Sequence, residues 1–227
     1  EILSNIQRLG AGFLLILVVS SSRYIVRALA WTRCIDPPHR LRFRDAFAAR
    51  LMGDALGNII PFVSVAVSEP SKAVFVKDRV PLIVGLSGLA IENIFYALSV
   101  ALFIFSGTAT LLLSFSLPKP LRYASIGALC ATLVVVPLVF VILRGHSRFL
   151  SGAVGFLEKR GIGRKVMSKL KPRAESLEDR VYGFYEKSQR SFISIFALDC
   201  CFHLAGVLEV FITLSFISPV PPTLTQA

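Results

Sequence analysis

Charged residues are few in this sequence, at 17% of its 227 residues, whereas 54% of the residues are hydrophobic. The mean hydropathy of +0.68 is higher than a soluble domain of this size usually reaches. The apolar residues also form long blocks, which favour helices that cross a membrane. The composition therefore excludes an ordinary soluble domain and predicts an all-α integral membrane protein.

Motifs of catalysis and metal binding are missing as well. The sequence contains no HExxH, no GxSxG, and no P-loop or dinucleotide-binding glycine pattern. Its four cysteines follow neither metal-ligand nor disulfide-framework spacing, so we interpret them as small packing residues. We therefore expect that the protein is not an enzyme and that it binds no metal and no cofactor. A lipid-modifying enzyme would need a nucleophile, and Ser68 and Ser71, beside Glu69, are the only candidates, without a convincing base.

The charge balance is strongly basic, with 25 Lys and Arg against 14 Asp and Glu and a net charge of +11. Such an excess can indicate nucleic-acid binding. Here the basic residues lie beside the apolar blocks, where membrane orientation and anionic lipid headgroups account for them. We therefore expect no nucleic-acid partner and interpret anionic membrane lipids as the partner.

Four apolar blocks are long enough to cross about 30 Å of hydrocarbon at about 1.5 Å per residue. They cover residues 9–31, 80–105, 123–143 and 192–217, and residues 106–120 are expected to form a polar turn region. Residues 144–190 carry twelve Lys and Arg against five Asp and Glu, with apolar residues at helical spacing. We expect basic amphipathic helices on the membrane surface there, within a single transmembrane domain, 1–227.

The segment 46–78 lies between the first two spans and is mostly apolar, yet it carries several charged residues. Three polar residues spaced four apart share one helical face: Arg50, Asp54 and Asn58. The pattern breaks at Pro61, and a second helix is predicted to begin around residues 68–70, because proline fits a first helical turn. Two short helices among membrane spans predict a broken, re-entrant pair, where a transport protein keeps its polar site.

Charge also predicts the orientation. Residues 32–79 contain eight Lys and Arg and residues 144–190 contain twelve, whereas residues 106–122 contain two. Because positively charged loops stay in the cytoplasm, the first two segments are expected inside, in a multi-pass protein of the inner (cytoplasmic) membrane. Residue 1 would then lie outside, which, together with the absence of an initiator methionine, favours a fragment of a longer protein.

Ionisable residues inside the spans are candidates for function, because an unpaired charge in hydrocarbon costs at least about 2–3 kcal/mol. Glu92 lies near mid-span and must be protonated, paired or hydrated, with Arg23, Arg50 or Lys72 as candidate partners. Arg27, near the end of the first span, is expected to snorkel to the headgroups. For Arg23, one turn deeper, structural pairing and contact with a lipid phosphate both stay open.

Two further sets are candidates. Glu69 and Lys72 lie three apart at the predicted start of the second short helix, whose amides favour a phosphate, and Lys72 adds positive charge. An ordinary ion pair at a helix start is the alternative. Asp199, His203 and Glu209 in the last span resemble a proton-relay set, in which the first two are four apart and can touch. Asp199 can also be explained as interfacial.

Three stretches together resemble one known family: GDALGNIIPF…SEPSKAVFV, GLAIENIFYALSV and FHLAGVLEVFITLSF. It is the lysylphosphatidylglycerol synthase transmembrane region, also called the flippase-like domain family, which includes hopanoid-associated membrane proteins. The family pattern has an N-x-x-P turn, an S/G-E-x-x-K/R helix start and an E-N/R pair. These positions are here Asn58, Pro61, Glu69, Lys72, Glu92 and Asn93. His203 and Glu209 match a span of the hopanoid-associated branch.

The sequence departs from the family pattern in two ways. Residues 63–67 replace the glycines that usually follow the proline, which makes the break less flexible. The family's second proline–glycine–glutamate element would come after the last residue, as expected if the chain is a fragment. The aminoacyl-transferase domain of the bifunctional synthases also has no counterpart in this sequence, so the resemblance implies no synthase activity.

The resemblance implies a protein that translocates or handles an anionic or isoprenoid lipid between leaflets. The six pattern residues would bind the headgroup, with Arg23 as an auxiliary anion contact. Proton coupling through Glu92 or through Asp199 and His203 is a further hypothesis. The alternative is a non-transporting membrane anchor or regulatory module of a lipid-modifying enzyme, whose partner would be that enzyme or a second copy of the chain.

Overall fold

The structure, a computed structural model, describes residue 10 and residues 12–59, 64–144, 148–160, 164–187, 189–218 and 222–223. Its helices within these ranges are α1 (Gly12–Arg33), α2 (Phe43–Ile59), α3 (Ser64–Phe75), α4 (Leu82–Ser114), α5 (Lys119–Arg144), α6 (Phe149–Lys159), α7 (Arg164–Lys187) and α8 (Gln189–Ile217). The described residues contain no strand. The predicted all-α fold is confirmed.

Four of the described helices, α1, α4, α5 and α8, have the length and apolar composition that crossing a membrane requires. They coincide with the four predicted spans. Large apolar side chains on these helices are exposed, for example Val18, Leu113, Val134 and Leu204. Exposed apolar side chains of this size on long helices are those that lipid would cover.

One predicted boundary is wrong. Residues 106–114 were expected in a polar turn, but they continue α4 through Ser114. The hydroxyl of Ser106 donates to the carbonyl oxygen of Phe103, and that of Thr110 donates to the carbonyl oxygen of Ser106. Because the helix backbone satisfies both hydroxyls, these polar residues do not end the helix.

The segment 46–78 forms two short helices, α2 and α3, which pack against each other as a helical hairpin. Pro61 lies in the connection, outside the described residues. The hairpin closes at Gly53, where an added Cβ would overlap Cγ of Lys72 and lie 3.0 Å from the carbonyl oxygen of Ser68. A glycine is therefore required for the two helices to approach this closely.

The predicted start of the second short helix is also wrong. α3 begins at Ser64 rather than around residues 68–70, and Pro70 lies inside it. Packing against α2 extends the helix by about one turn before the proline, although proline removes a backbone hydrogen bond in a helix interior. Glu69 and Lys72 therefore lie within the helix and not at its start, so the argument from free helix-start amides no longer applies to them.

The basic segment contains two helices, α6 and α7, as predicted. They pack against each other, and the Ser151 hydroxyl donates a 2.6 Å hydrogen bond to the Glu178 carboxylate at a buried point between them. α7 also contacts α4 and α8. Their position on a membrane surface stays a prediction.

The buried core lies where α1, the hairpin, and the beginning of α4 meet. One cluster joins Trp31 of α1, Ala49 of α2, Val76 just after α3 and Leu89 of α4. A second cluster joins α1, α4, α7 and α8 through Ala30, Phe95, Phe184 and Ile195. Next to members of these clusters in the sequence, charged residues of α1, α2 and α4 come together: Arg27, Arg50 and Glu92.

Candidate functional site

Glu92 of α4 is fully buried, with 0% of its side chain exposed, and pairs with two arginines. Arg27 of α1 binds it in a bidentate manner, with Nε 2.8 Å from Oε1 and Nη2 3.0 Å from Oε2. Arg50 of α2 places Nη2 3.0 Å from Oε2. Bidentate pairing fixes geometry as well as charge, so Glu92 holds three helices in one arrangement.

Arg50 is the least satisfied member of this triad. Its side chain is 1% exposed, and its contact with Glu92 lacks hydrogen-bond alignment, since none of its three side-chain nitrogens has a hydrogen-bond partner in the described residues. Two guanidinium groups against one carboxylate leave an excess positive charge at a buried position. Such a charge is costly unless further negative groups lie near it.

Lys72 of α3 forms the centre of a second group of charges. Its Nζ lies 2.7 Å from Oδ1 of Asp54 and 2.6 Å from Oε1 of Glu69. The hydroxyl of Ser68 donates to the same oxygen of Asp54 at 2.9 Å. The Lys72 side chain is 2% exposed, whereas Asp54 and Glu69 are 32% and 24% exposed. The two carboxylates are therefore the accessible side of this group.

Asn93 connects the two groups of charges. Its Nδ2 donates to Oε2 of Glu69 at 3.0 Å, and its Oδ1 accepts from Nη2 of Arg27 at 3.0 Å. An amide can do this because it carries a donor and an acceptor. A continuous network results, with members from four helices and three formal charges of each sign: Arg27, Arg50, Asp54, Ser68, Glu69, Lys72, Glu92 and Asn93.

A separate pair joins α1 and α8 about one turn from this network. Nη1 of Arg23 lies 3.3 Å from Oε2 of Glu209, and Ser20 donates to Oε1 of Glu209 at 3.0 Å. The guanidinium of Arg23 lies 4.2 Å from the ring centroid of Phe202, and that of Arg27 lies 4.0 Å from the ring centroid of Tyr96. Cation–π contacts of this kind stabilise charges away from water.

Asp199 and His203 of α8 do not form the contact that their spacing allowed. His203 Nε2 lies 3.0 Å from the hydroxyl of Ser99, and its ring stacks between Tyr96 and Phe103. Asp199 is completely buried, and neither of its carboxylate oxygens has a hydrogen-bond partner in the described part of the chain. No hydrogen bond among the described residues connects Asp199, His203 and Glu209 into a relay.

The structure therefore brings together four of the predicted site residues: Glu69, Lys72, Glu92 and Asn93. Arg23 is nearby but paired with Glu209. Asn58 is exposed at the end of α2 and does not belong to the network, and Pro61 lies outside the described residues.

Sequence reasoning missed the role of Arg27, whose expected contact with headgroups is wrong, because Glu92 is its partner. Arg50 was a candidate partner of Glu92, which the structure confirms, but neither it nor Asp54 was assigned to the site. The sequence did contain a signal for both, since their four-residue spacing puts two opposite charges on one face of α2.

Other reactive groups lie apart from the network or are occupied. Ser71 donates to the backbone carbonyl of Val67. No group of three metal-ligating side chains occurs among the described residues.

Burial raises the pKa of the Cys34 thiol well above its ordinary value, and the carboxylates of Glu92 and Asp199 raise it further. A raised pKa makes a thiol a weaker nucleophile at neutral pH. Cys34 is buried, as expected of a packing residue, whereas Cys130 and Cys201 are exposed.

Four apolar helices of membrane-spanning length, a helical hairpin and a charge network between them define a multi-pass helical membrane protein. The model of the family described as "Lysylphosphatidylglycerol synthase TM region" matches residues 1–227, the whole chain. The chain belongs to this family, as its motifs indicated, and the family is one of lipid-related membrane proteins. No curated protein and no solved structure shows a significant match to the chain.

Proposed function

We propose that this protein translocates or handles an anionic or isoprenoid lipid between membrane leaflets, with the headgroup binding at the hairpin. The observation that carries the proposal is the charge network, in which Lys72, Arg50 and Glu92 are almost fully buried among apolar spans. Ionisable groups at such positions are rare and usually mark a substrate or ion pathway. The family membership supports a lipid as the substrate.

The accessible carboxylates suggest how a headgroup enters. A lipid phosphate competes with Asp54 for Nζ of Lys72, since Asp54 is the more exposed of the two carboxylates bound there. Displaced Asp54 retains its hydrogen bond from Ser68. Glu69 also binds Asn93, and Asn93 binds Arg27. Binding of a phosphate to Lys72 therefore affects the Glu92 triad through these hydrogen bonds.

In this proposal the hairpin is re-entrant and both of its ends face the cytoplasm, in an inner membrane. The positive charge of residues 32–79 and 144–190 supports that orientation. Proton coupling involves Glu92 or Asp199, both of which are fully buried. The proposal includes no catalytic step, so the protein acts as a transporter and not as an enzyme.

A leaflet-accessibility assay tests this function. The full chain is reconstituted into vesicles that contain a fluorescently labelled anionic phospholipid, and a membrane-impermeant quencher reports the rate at which labelled lipid changes leaflet. Glu69→Gln and Lys72→Ala are expected to lower this rate at least about tenfold, which corresponds to about 1.4 kcal/mol of lost interaction. Asp78→Asn and Lys77→Ala are matched controls, because both residues are exposed beyond the end of α3.

Unchanged translocation in the two site variants, in vesicles where the control variants are equally active, would refute the site. The absence of translocation by the unmodified protein would instead favour the non-transporting module. One observation favours that alternative. Each charge of the network already has a partner of opposite sign, as expected of a network that only stabilises the packing of the helices. A module of this kind predicts that a lipid-modifying enzyme co-purifies with the chain.

A further inference from the structure

Two cavities lie next to each other on the side of α4 that faces α7. The first is a polar pocket of about 730 Å³, lined by the segment after α1, the beginning of α4, and α7. The second is an apolar cavity of about 660 Å³ between α4, α5, α7 and α8. Both volumes are in the range of small-molecule sites. Ile91 and Phe184 line both cavities, so the two cavities meet at these residues.

The apolar cavity has the dimensions of a hydrocarbon chain. It follows α4 from Ile91 to Phe105, which is about 21 Å at 1.5 Å per residue. One leaflet of a bilayer contributes about 15 Å of hydrocarbon thickness. Its walls include Leu98, Val136 and Phe196, and a cavity with such walls excludes water.

The polar pocket contains charges of both signs. It is lined by three carboxylates and one guanidinium: Asp36, Glu175, Asp179 and Arg180. Asp179 is 3.9 Å from the exposed Arg148, whereas Glu175 is half-buried and forms no ion pair with a described residue. Glu175 can therefore bind a cation, and Arg180 can bind a phosphate.

We propose that these two cavities form one binding site for a zwitterionic phospholipid that carries a protonated amine next to its phosphate. One hydrocarbon chain occupies the apolar cavity, and Ile91 and Phe184 contact the chain where it joins the headgroup. The phosphate binds Arg180 and the amine binds Glu175. This site is separate from the hairpin network, whose charged residues do not line either cavity, and it binds a different headgroup.

Lipid titration of the full chain, purified and delipidated in detergent, tests this site by native mass spectrometry. Phosphatidylethanolamine and phosphatidylcholine with identical acyl chains are compared, because neither is anionic and only the first has an amine that can donate hydrogen bonds. We expect about tenfold tighter binding of phosphatidylethanolamine, as one charged hydrogen bond supplies. Ala101→Trp fills the apolar cavity and should weaken both lipids. Glu175→Gln should weaken phosphatidylethanolamine more than phosphatidylcholine.

Two substitutions are matched controls, because neither residue lines a cavity: Val134→Trp on the exposed face of α5 and Glu158→Gln on α6. Equal binding of the two lipids, or equal effects of Ala101→Trp and Val134→Trp, would overturn the proposal. So would unchanged phosphatidylethanolamine binding in Glu175→Gln. Binding is measured without translocation, so selective binding supports this site even if the leaflet assay fails. Translocation without selective binding contradicts this site alone.

Discussion

Glu92→Gln is the substitution with the largest expected effect on stability. The carboxylate is fully buried and pairs with both Arg27 and Arg50, so an amide in its place would leave two largely buried guanidinium groups without their charged partner. Breaking a buried pair by removing one partner costs about 3–5 kcal/mol. Glutamine keeps one acceptor oxygen for Arg27, and we therefore expect about 3 kcal/mol.

This cost can be measured by reversible unfolding in mixed micelles, with helix content followed by circular dichroism. A loss of about 3 kcal/mol lowers the folding equilibrium constant by more than about 100-fold. Glu209→Gln is the matched control, because Glu209 also pairs with an α1 arginine but is 26% exposed, and its partner Arg23 is 33% exposed. Pairs that are this accessible contribute about 0–1 kcal/mol.

A double substitution isolates the pair itself. Arg50→Met removes one of the buried charges that Glu92→Gln leaves unpaired, so the double variant should be more stable than the two single effects added together. Neighbouring residues usually couple by about 0.5–3 kcal/mol. Additive effects, or a cost of Glu92→Gln no greater than that of Glu209→Gln, would refute the assignment of Glu92 as the common partner of α1, α2 and α4.

Three other predictions follow from close contacts in the same region. Gly53→Ala should destabilise the hairpin by about 1–3 kcal/mol, measured by the same unfolding assay, because the new methyl group overlaps the stem of Lys72. Arg27→Lys should cost about 1–2 kcal/mol, because lysine cannot reproduce the bidentate contact with Glu92. Cys34 should resist alkylation by a maleimide at pH 7, since its raised thiol pKa keeps the thiolate scarce.

Each of these predictions has a control. Gly107→Ala adds a methyl group to open space and should stabilise α4 slightly by helix propensity. Arg23→Lys should change stability by less than about 1 kcal/mol, because its pair is more exposed. Cys34 should react once the chain is unfolded in sodium dodecyl sulfate, because unfolding exposes the thiol to water. If Gly53→Ala resembled Gly107→Ala, or if Cys34 reacted equally fast before and after unfolding, the packing described for these positions would be contradicted.

The sequence by itself determined the fold class and the positions of the spans. Long apolar blocks need an apolar solvent, and a helix satisfies its own backbone hydrogen bonds within each block. The length and periodicity of a block are therefore sufficient to predict a membrane-spanning helix. The same local logic predicted two short helices in residues 46–78, because the helical pattern of Arg50 and Asp54 breaks at Pro61. It failed at Ser106 and Pro70, where hydroxyl–backbone bonding and packing overrode local preferences for turns and helix starts.

Only the tertiary structure decided which charges pair. The candidate partners of Glu92 were Arg23, Arg50 and Lys72. The sequence contains no information on the angles at which α1, α2 and α3 meet α4. Gly53 lets α3 approach α2 closely, so Lys72 pairs with Asp54 and Glu69. Glu92 therefore pairs with the two arginines. A buried charge takes the partner that packing brings within about 3 Å, and that choice depends on contacts between residues far apart in the chain.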